Sequence, residues 1–254
     1  WQKIGNLYFE NGMYPDAIYH FKKFVAFQIK EEAFYKKAIK HIQDCMFAIL
    51  AMQNPVEFKP KNMGEHINSE MAEYLPFISA DGKQFVITRK VKGKIDLQED
   101  FFYSQKDEGN NWRKVKRMNS INTPFNEGAI SISADGRFLV FTACNREDSK
   151  GSCDLFYCKK IGKRWSRPRN LGAPVNTNFW ESQPCFSADG RTLYFIQNRT
   201  RNTGDRNNQD IYVTTLTNEG YWSKPTPLPS TINTPFAEQT IFAHPDGQTI
   251  YFAS

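Results

Sequence analysis

The stretch ESQPCFSADGRTLYF at residues 181–195 reads as a strand, a tight turn and a second strand, and its frame recurs. Glu181 has an asparagine five residues before it and an Asp-Gly pair eight residues after it. The same spacing occurs at Asn68/Glu73/Asp81-Gly82, at Asn122/Glu127/Asp135-Gly136, at Asn176/Glu181/Asp189-Gly190 and at Asn233/Glu238/Asp246-Gly247. Successive Asp-Gly pairs are 54, 54 and 57 residues apart. A period of that size with turn signals inside it marks a modular repeat.

Within each period the strand signals agree. A first strand, at 74–79, 130–133 and 183–187, runs into the turn, where Asp-Gly tolerates the positive φ of a tight hairpin. A second follows at 84–90, 138–144, 192–198 and 249–253. A third opens on Asp100, Asp154 or Asp210, and Trp112, Trp165 and Trp222 are expected to open the fourth. Four antiparallel strands per period make one β-propeller blade. The chain therefore reads as α + β: helices over 1–52, a linker over 53–66, and a propeller over 67–254. The propeller would hold three complete blades and the start of a fourth, truncated at the C-terminus.

Trp1, Ile4, Gly5, Tyr8, Ala17 and Phe21 stand at the spacing of tetratricopeptide helices, which they resemble, with Ile4 in the place of leucine. Gly5 and Ala17 would let two helices approach closely, and Gly12 with Pro15 would break the chain between them. Tyr35, Ala38 and Ile42 begin the pattern again in a third helix over 31–52, which Asn54-Pro55 ends. One and a half units bury no solenoid core alone. The expectation is that more units precede Trp1, or that these helices lean on the next domain. The resemblance implies binding of protein segments.

The net charge of +6 is spread evenly along the chain. The densest basic stretch, 159–169, holds six cations, no acid and Trp165. It reads either as an RNA contact or as charges shielding an exposed edge strand, and the second is preferred, so no nucleic-acid partner is expected. No apolar run is long enough for a membrane span.

The pattern of reactive residues is sparse. His20, His41, His66 and His244 are scattered, without HExxH spacing, and no G-x-S-x-G elbow occurs. The Ser-x-Asp-Gly turns lack the glycine spacing of sialidase Asp-boxes. The loop 198–210, with two Asp and four Asn, lacks the register of a calcium loop. No catalytic residue, metal or cofactor is expected, and the chain reads as not an enzyme. Glu73, Glu127, Glu181 and Glu238 could ring a propeller channel and hold a cation or basic peptide. Alternatively, each could bond backbone amides of the neighbouring blade.

The segment 181–195, joined by Asp210, Ile211 and Tyr212, resembles the WD-like propeller repeat of TolB proteins of the bacterial periplasm. His244-Pro245-Asp246-Gly247 keeps that repeat's usual proline, where the other three turns carry alanine. Helices followed by Asn54-Pro55-Val56, by Ile67 to Glu70 and by Glu73 to Pro76 resemble OmpA-family envelope proteins of Bacteroidetes, including those of the type IX secretion and gliding machinery. The resemblance implies a non-enzymatic, protein-binding scaffold in the periplasm, associated with the outer membrane. Its partners would be other cell-envelope proteins, and peptidoglycan would be met only through a domain outside this chain. The alternatives are a substrate-binding propeller of a hydrolase, or a carbohydrate-binding propeller using Trp180 and Tyr221.

Cys144 and Cys153 flank an eight-residue loop at the end of one strand and the start of the next. One period earlier the same positions hold Lys90 and Glu99, and one period later Asn198 and Gln209. Each pair would face across antiparallel strands at a separation that suits a disulfide. A Cys144–Cys153 bridge is expected, against the alternative of two free thiols. Cys45, Cys158 and Cys185 read as buried apolar residues.

Overall fold

The computed structural model describes residues 1–27, 32–93, 96–198 and 209–254. They divide into two units, Trp1–Lys61 and Asn62–Ser254. In the first, α1 (Gln2–Glu10) meets α2 (Tyr14–Ala26) through a turn at Gly12, whose φ is +70°. Pro15 sits in the first turn of α2, where a missing N–H leaves no bond unmade. A Cβ on Gly5 would come within 2.7 Å of the Phe21 ring, so only glycine allows this approach. α3 (Glu32–Gln53) packs on α2, and Ala17, Phe21, Ala38 and Cys45 are fully buried between the helices. The His20 ring stacks on Trp1 and on Tyr8, which explains it as a packing residue. No helix among the described residues is long and apolar enough to cross a membrane.

The second unit is a β-propeller. β1 (Glu73–Ile78), β2 (Gln84–Lys92), β3 (Leu97–Gln105) and β4 (Lys116–Arg117) form one antiparallel sheet in that order. In the next blade β5 (Glu127–Ile132), β6 (Phe138–Cys144) and β7 (Cys153–Ile161) are followed by β8 (Arg164–Trp165) and β9 (Arg169–Asn170), both paired with β7. β10 (Glu181–Phe186), β11 (Thr192–Asn198), β12 (Gln209–Thr215) and β13 (Thr226–Pro227) form the third sheet. β14 (Gln239–Ala243) and β15 (Ile250–Ala253) begin a fourth. The outermost strands are two residues long and one contains Pro227, which leaves little edge for another chain to pair with.

Trp165 lies in β8, next to β7 in its sheet, as expected of a tryptophan that opens a fourth strand. Trp112 and Trp222 instead make single bridges to Lys106 and Leu216, because the chain folds back once before it reaches the edge.

The apolar core lies between blades. Phe101 and Ile121 of blade one meet Leu139 and Phe141 of blade two, and Val140 and Leu155 meet Phe186 and Phe195 of blade three. A polar stitch accompanies each contact. The Asn122 amide accepts the Phe101 N–H and donates to the Phe101 carbonyl, both at 2.9 Å. Asn176 does the same to Leu155, at 2.9 and 2.8 Å, and Asn233 to Ile211, at 2.9 and 3.0 Å. The repeated asparagine thus supplies the two bonds that a neighbouring strand would otherwise give a buried backbone.

Asn176 is buried, so Asn176→Ala leaves the Leu155 N–H without a partner, while the Leu155 carbonyl keeps the Leu171 N–H at 3.0 Å. An orphaned buried group costs on the order of 1–3 kcal/mol, and a loss of about 2 kcal/mol in unfolding free energy is expected by denaturant titration. A loss below about 0.5 kcal/mol, the usual range for surface positions, would show that the stitch is not structural.

Candidate functional site

Each repeated glutamate starts or immediately precedes an inner strand and turns back onto its own loop. Glu127 accepts the Thr123 N–H at 2.9 Å and its hydroxyl at 2.6 Å, and Glu181 accepts the same groups of Thr177 at 3.2 and 2.5 Å. Glu73 is held by Ser69 and Glu238 by Thr234. A further group comes to each: Arg89 forms an ion pair with Glu73 at 2.8 Å, while Arg146 donates to Glu127 at 2.9 Å, Gln197 to Glu181 at 2.7 Å, and Ser254 to Glu238 at 3.2 Å. Glu127, Glu181 and Glu238 are fully buried. The glutamates therefore turn into the loops behind the inner strands, Glu73 with part of its side chain exposed. The amides they bind belong to their own loops, not to the neighbouring blade.

Two residues beyond each glutamate the backbone turns left-handed, with φ of 49° at Leu75, 50° at Ala129, 52° at Gln183 and 53° at Thr240. The pairing register of all four inner strands shifts at the same place. A non-glycine residue in this region costs on the order of 1–3 kcal/mol and persists only where its surroundings hold it. Here the preceding blade supplies the hold. The Ala129 N–H donates to Thr88 Oγ1 at 3.2 Å and the Gln183 N–H to Thr142 Oγ1 at 3.0 Å. The Thr240 N–H donates to Gln183 Oε1 at 2.6 Å.

The bulges border a cavity of about 370 Å³, lined by Leu75, Ala129 and Gln183 together with Tyr74, Glu99 and Trp180. Glu99 is the carboxylate of this lining, and the Tyr74 hydroxyl donates to it. Burial, reinforced by Glu99, pushes the Tyr74 phenol above its ordinary pKa and keeps it a donor. A Cβ on Gly128 would stand 3.2 Å from Glu99 Oε2, so glycine leaves that oxygen its place. Lys90 is opposite Glu99 in register, yet the carboxylate is taken by Tyr74. Trp180 packs partly on the core around Ile196 and Ile211, and Tyr221 is exposed.

Cys144 also lines the cavity, and it is bonded to Cys153 across directly opposed positions of β6 and β7. Cys45, Cys158 and Cys185 are buried free thiols, and burial pushes Cys158 up to about 12, which makes it inert near neutral pH. Among the described residues no cluster of histidine, cysteine or carboxylate could hold a metal ion. Most of the loop 198–210 weighed for calcium lies outside the described residues.

Tyr74, Glu99 and Gln183 were not among the candidates drawn from the sequence as binding residues. The signal that could have found them is positional. Tyr74 and Gln183 fall one and two residues past a repeated glutamate, and Glu99 falls one before a third-strand aspartate.

No family profile and no curated protein matches the chain. Among solved structures it is similar to a putative TolB from Agrobacterium tumefaciens, with 18% identity over 69% of this chain and 51% of that one and a TM-score of 0.45. It is similar to a thermostable family-43 glycoside hydrolase, with 10% identity, coverage of 71% and 64%, and a TM-score of 0.47. It is also similar to the β-propeller domain of the Trilobed protease from Pyrococcus furiosus, with 14% identity, coverage of 63% and 43%, and a TM-score of 0.40. The chain spans less than two thirds of the length of each, and the likeness is one of fold. The expectation that the chain is not an enzyme is withdrawn on this finding. Two of the three structures come from a glycoside hydrolase and a protease.

Burial raises the pKa of both Glu127 and Glu181, against the threonine bonds of each and the Arg146 charge beside Glu127. A carboxyl raised in the folded state favours folding while protonated. That contribution is complete below the unfolded value of about 4.3 and is lost as pH rises through the folded value. Stability should therefore fall as pH rises above about 4.3, and Glu181→Gln should remove part of that fall. Glu127→Gln should instead cost about 3 kcal/mol at neutral pH, because it strands the buried Arg146 guanidinium. Denaturant midpoints across a pH series test both, and an unchanged slope for Glu181→Gln would refute the assignment.

Proposed function

We propose that this chain is a protein-binding module of the bacterial cell envelope, working in the periplasm and associated with the outer membrane. In this proposal its partners are other envelope proteins, as in the type IX secretion and gliding machinery. Peptidoglycan would be reached only through an OmpA-like domain outside these residues. The observation that carries the proposal is the Cys144–Cys153 bridge, placed in the wall of the cavity. Disulfides persist in oxidising compartments and are rare in the cytosol, so the bridge supports the periplasm. Its position supports a rigid binding wall rather than a stabilising clip remote from any site. The succession of helices and propeller supports the same reading, since both architectures present surfaces to protein segments.

A second reading is favoured by the Tyr74–Glu99 pair in the cavity: a propeller that holds substrate for a hydrolase. The two separate on what the cavity binds. Under the first, Glu99→Gln with Trp180→Ala abolishes recovery of a defined envelope partner; under the second, the variant keeps its partners and loses a small ligand.

The compartment is tested by alkylating the protein without reduction and mapping its peptides. A Cys144–Cys153 cross-linked peptide is expected, with Cys45, Cys158 and Cys185 labelled after unfolding. Label on both Cys144 and Cys153 would overturn the periplasmic assignment.

A further inference from the structure

We propose that the outer hairpin of blade two docks this protein on a membrane surface bearing anionic phospholipid headgroups. The hairpin is formed by the end of β7 and by β8, with Lys160 opposite Trp165 and Ile161 opposite Arg164. Its two-residue turn begins with Gly162 at φ +58°, the conformation that a tight hairpin demands of its first central residue. Lys159, Lys163, Arg164, Arg167 and Arg169 are exposed along it, and Ile161 projects at the tip with 66% of its surface exposed.

The repeat supplies its own control. The matching window of blade one, 105–116, holds four cations with two acids, and that of blade three, 215–226, holds one cation and one acid. In both, a five-residue loop separates the bridged positions Lys106 and Trp112, or Leu216 and Trp222, where blade two has the short hairpin. Shielding an edge strand from aggregation is a need that all three blades share. It does not explain why one blade alone carries six cations without an acid. Asp135 on the adjoining turn faces Arg137 at 3.9 Å, and among the described residues no hairpin cation is held in an ion pair.

The chemistry of the tip selects the partner. Single-stranded nucleic acid bound without sequence preference stacks its bases on exposed aromatic faces. Trp165 offers none, because it packs on the core and Lys160 lies over its ring at 4.4 Å. An exposed aliphatic residue flanked by cations is the arrangement that enters a headgroup layer: the apolar group sinks in and the charges meet phosphates. The partly exposed Phe138, with Lys159 over its ring at 5.7 Å, extends that face.

The test is sedimentation of the full chain with vesicles of phosphatidylglycerol and phosphatidylcholine in equal parts, and of phosphatidylcholine alone. Binding is expected to the first only and to weaken with salt. Lys163→Gln with Arg164→Gln should lower partitioning roughly 25-fold, at fivefold per cation. Ile161→Ser should weaken binding without changing its salt dependence. Lys114→Gln with Lys116→Gln on blade one should leave binding unchanged. All these side chains are exposed, so unchanged melting curves will separate docking from folding. Absence of vesicle binding, an equal loss from the blade-one variant, or tighter retention of a DNA oligonucleotide than of vesicles would each overturn the proposal.

Discussion

A buried third-strand residue in each blade, Phe101, Leu155 or Ile211, is paired through its amide and carbonyl by the side chain of an asparagine more than twenty residues later. This bond decides where the chain must stand when it begins the next blade. The following threonine then meets the glutamate four residues on, and the glutamate anchors the inner strand. Two residues later comes the left-handed bulge, held by a hydroxyl of the preceding blade at Thr88 or Thr142. Asparagine, threonine, glutamate and bulge lie within eight residues. Blade placement and cavity shape are therefore set by one continuous segment, and disturbing its first bond loosens everything downstream.

The glutamate is constant, but what answers its charge is not. Arg89 and Arg146 bring a full positive charge, from different positions in the blade, to the same location: each also donates to the carbonyl of the isoleucine six residues before the glutamate. Gln197 brings only an amide. Burying a carboxylate without a cation is costly unless its oxygens are fully bonded. Glu181 meets that condition through the Thr177 N–H and hydroxyl together with Gln197, and its pKa rises because burial still outweighs them. The loop geometry tolerates either solution, which explains how the donor varies while the acceptor does not.

Much of this was legible in the sequence because propeller blades convert spacing into register. Counting periods sets residue 90 against 99, 144 against 153 and 198 against 209, and these pairs are opposed in the sheets. The turns and the first three strands of each blade follow from the same count. The cavity did not, because it depends on a bulge whose residues, Leu75, Ala129, Gln183 and Thr240, share no side-chain chemistry. An unbulged strand would face other residues inward, and the repeated glutamate was the natural candidate in its absence. Lys90 stands opposite Glu99 as the count requires, but the Tyr74 hydroxyl is what bonds the carboxylate.

A repeat protein separates architecture from use by where its copies disagree. Asparagine, glutamate and Asp-Gly recur because every blade needs them. The position before the third-strand aspartate holds Glu99, then Cys153, then Gln209, and the position after the glutamate holds Tyr74, Gly128, Ser182 and Gln239. These varied side chains cluster where the bulges open the inner strands. There Glu99 meets Tyr74 within blade one and Gln209 meets Gln239 across to the next blade, at 2.7 Å. Since the backbone is equivalent in each copy, fold stability cannot demand a tyrosine in one blade and glycine in the next. Two of the places where the copies differ are the cavity wall and the outer hairpin of blade two. Both lie on supports that the repeat holds constant, so a change of side chain at either leaves the blade frame in place.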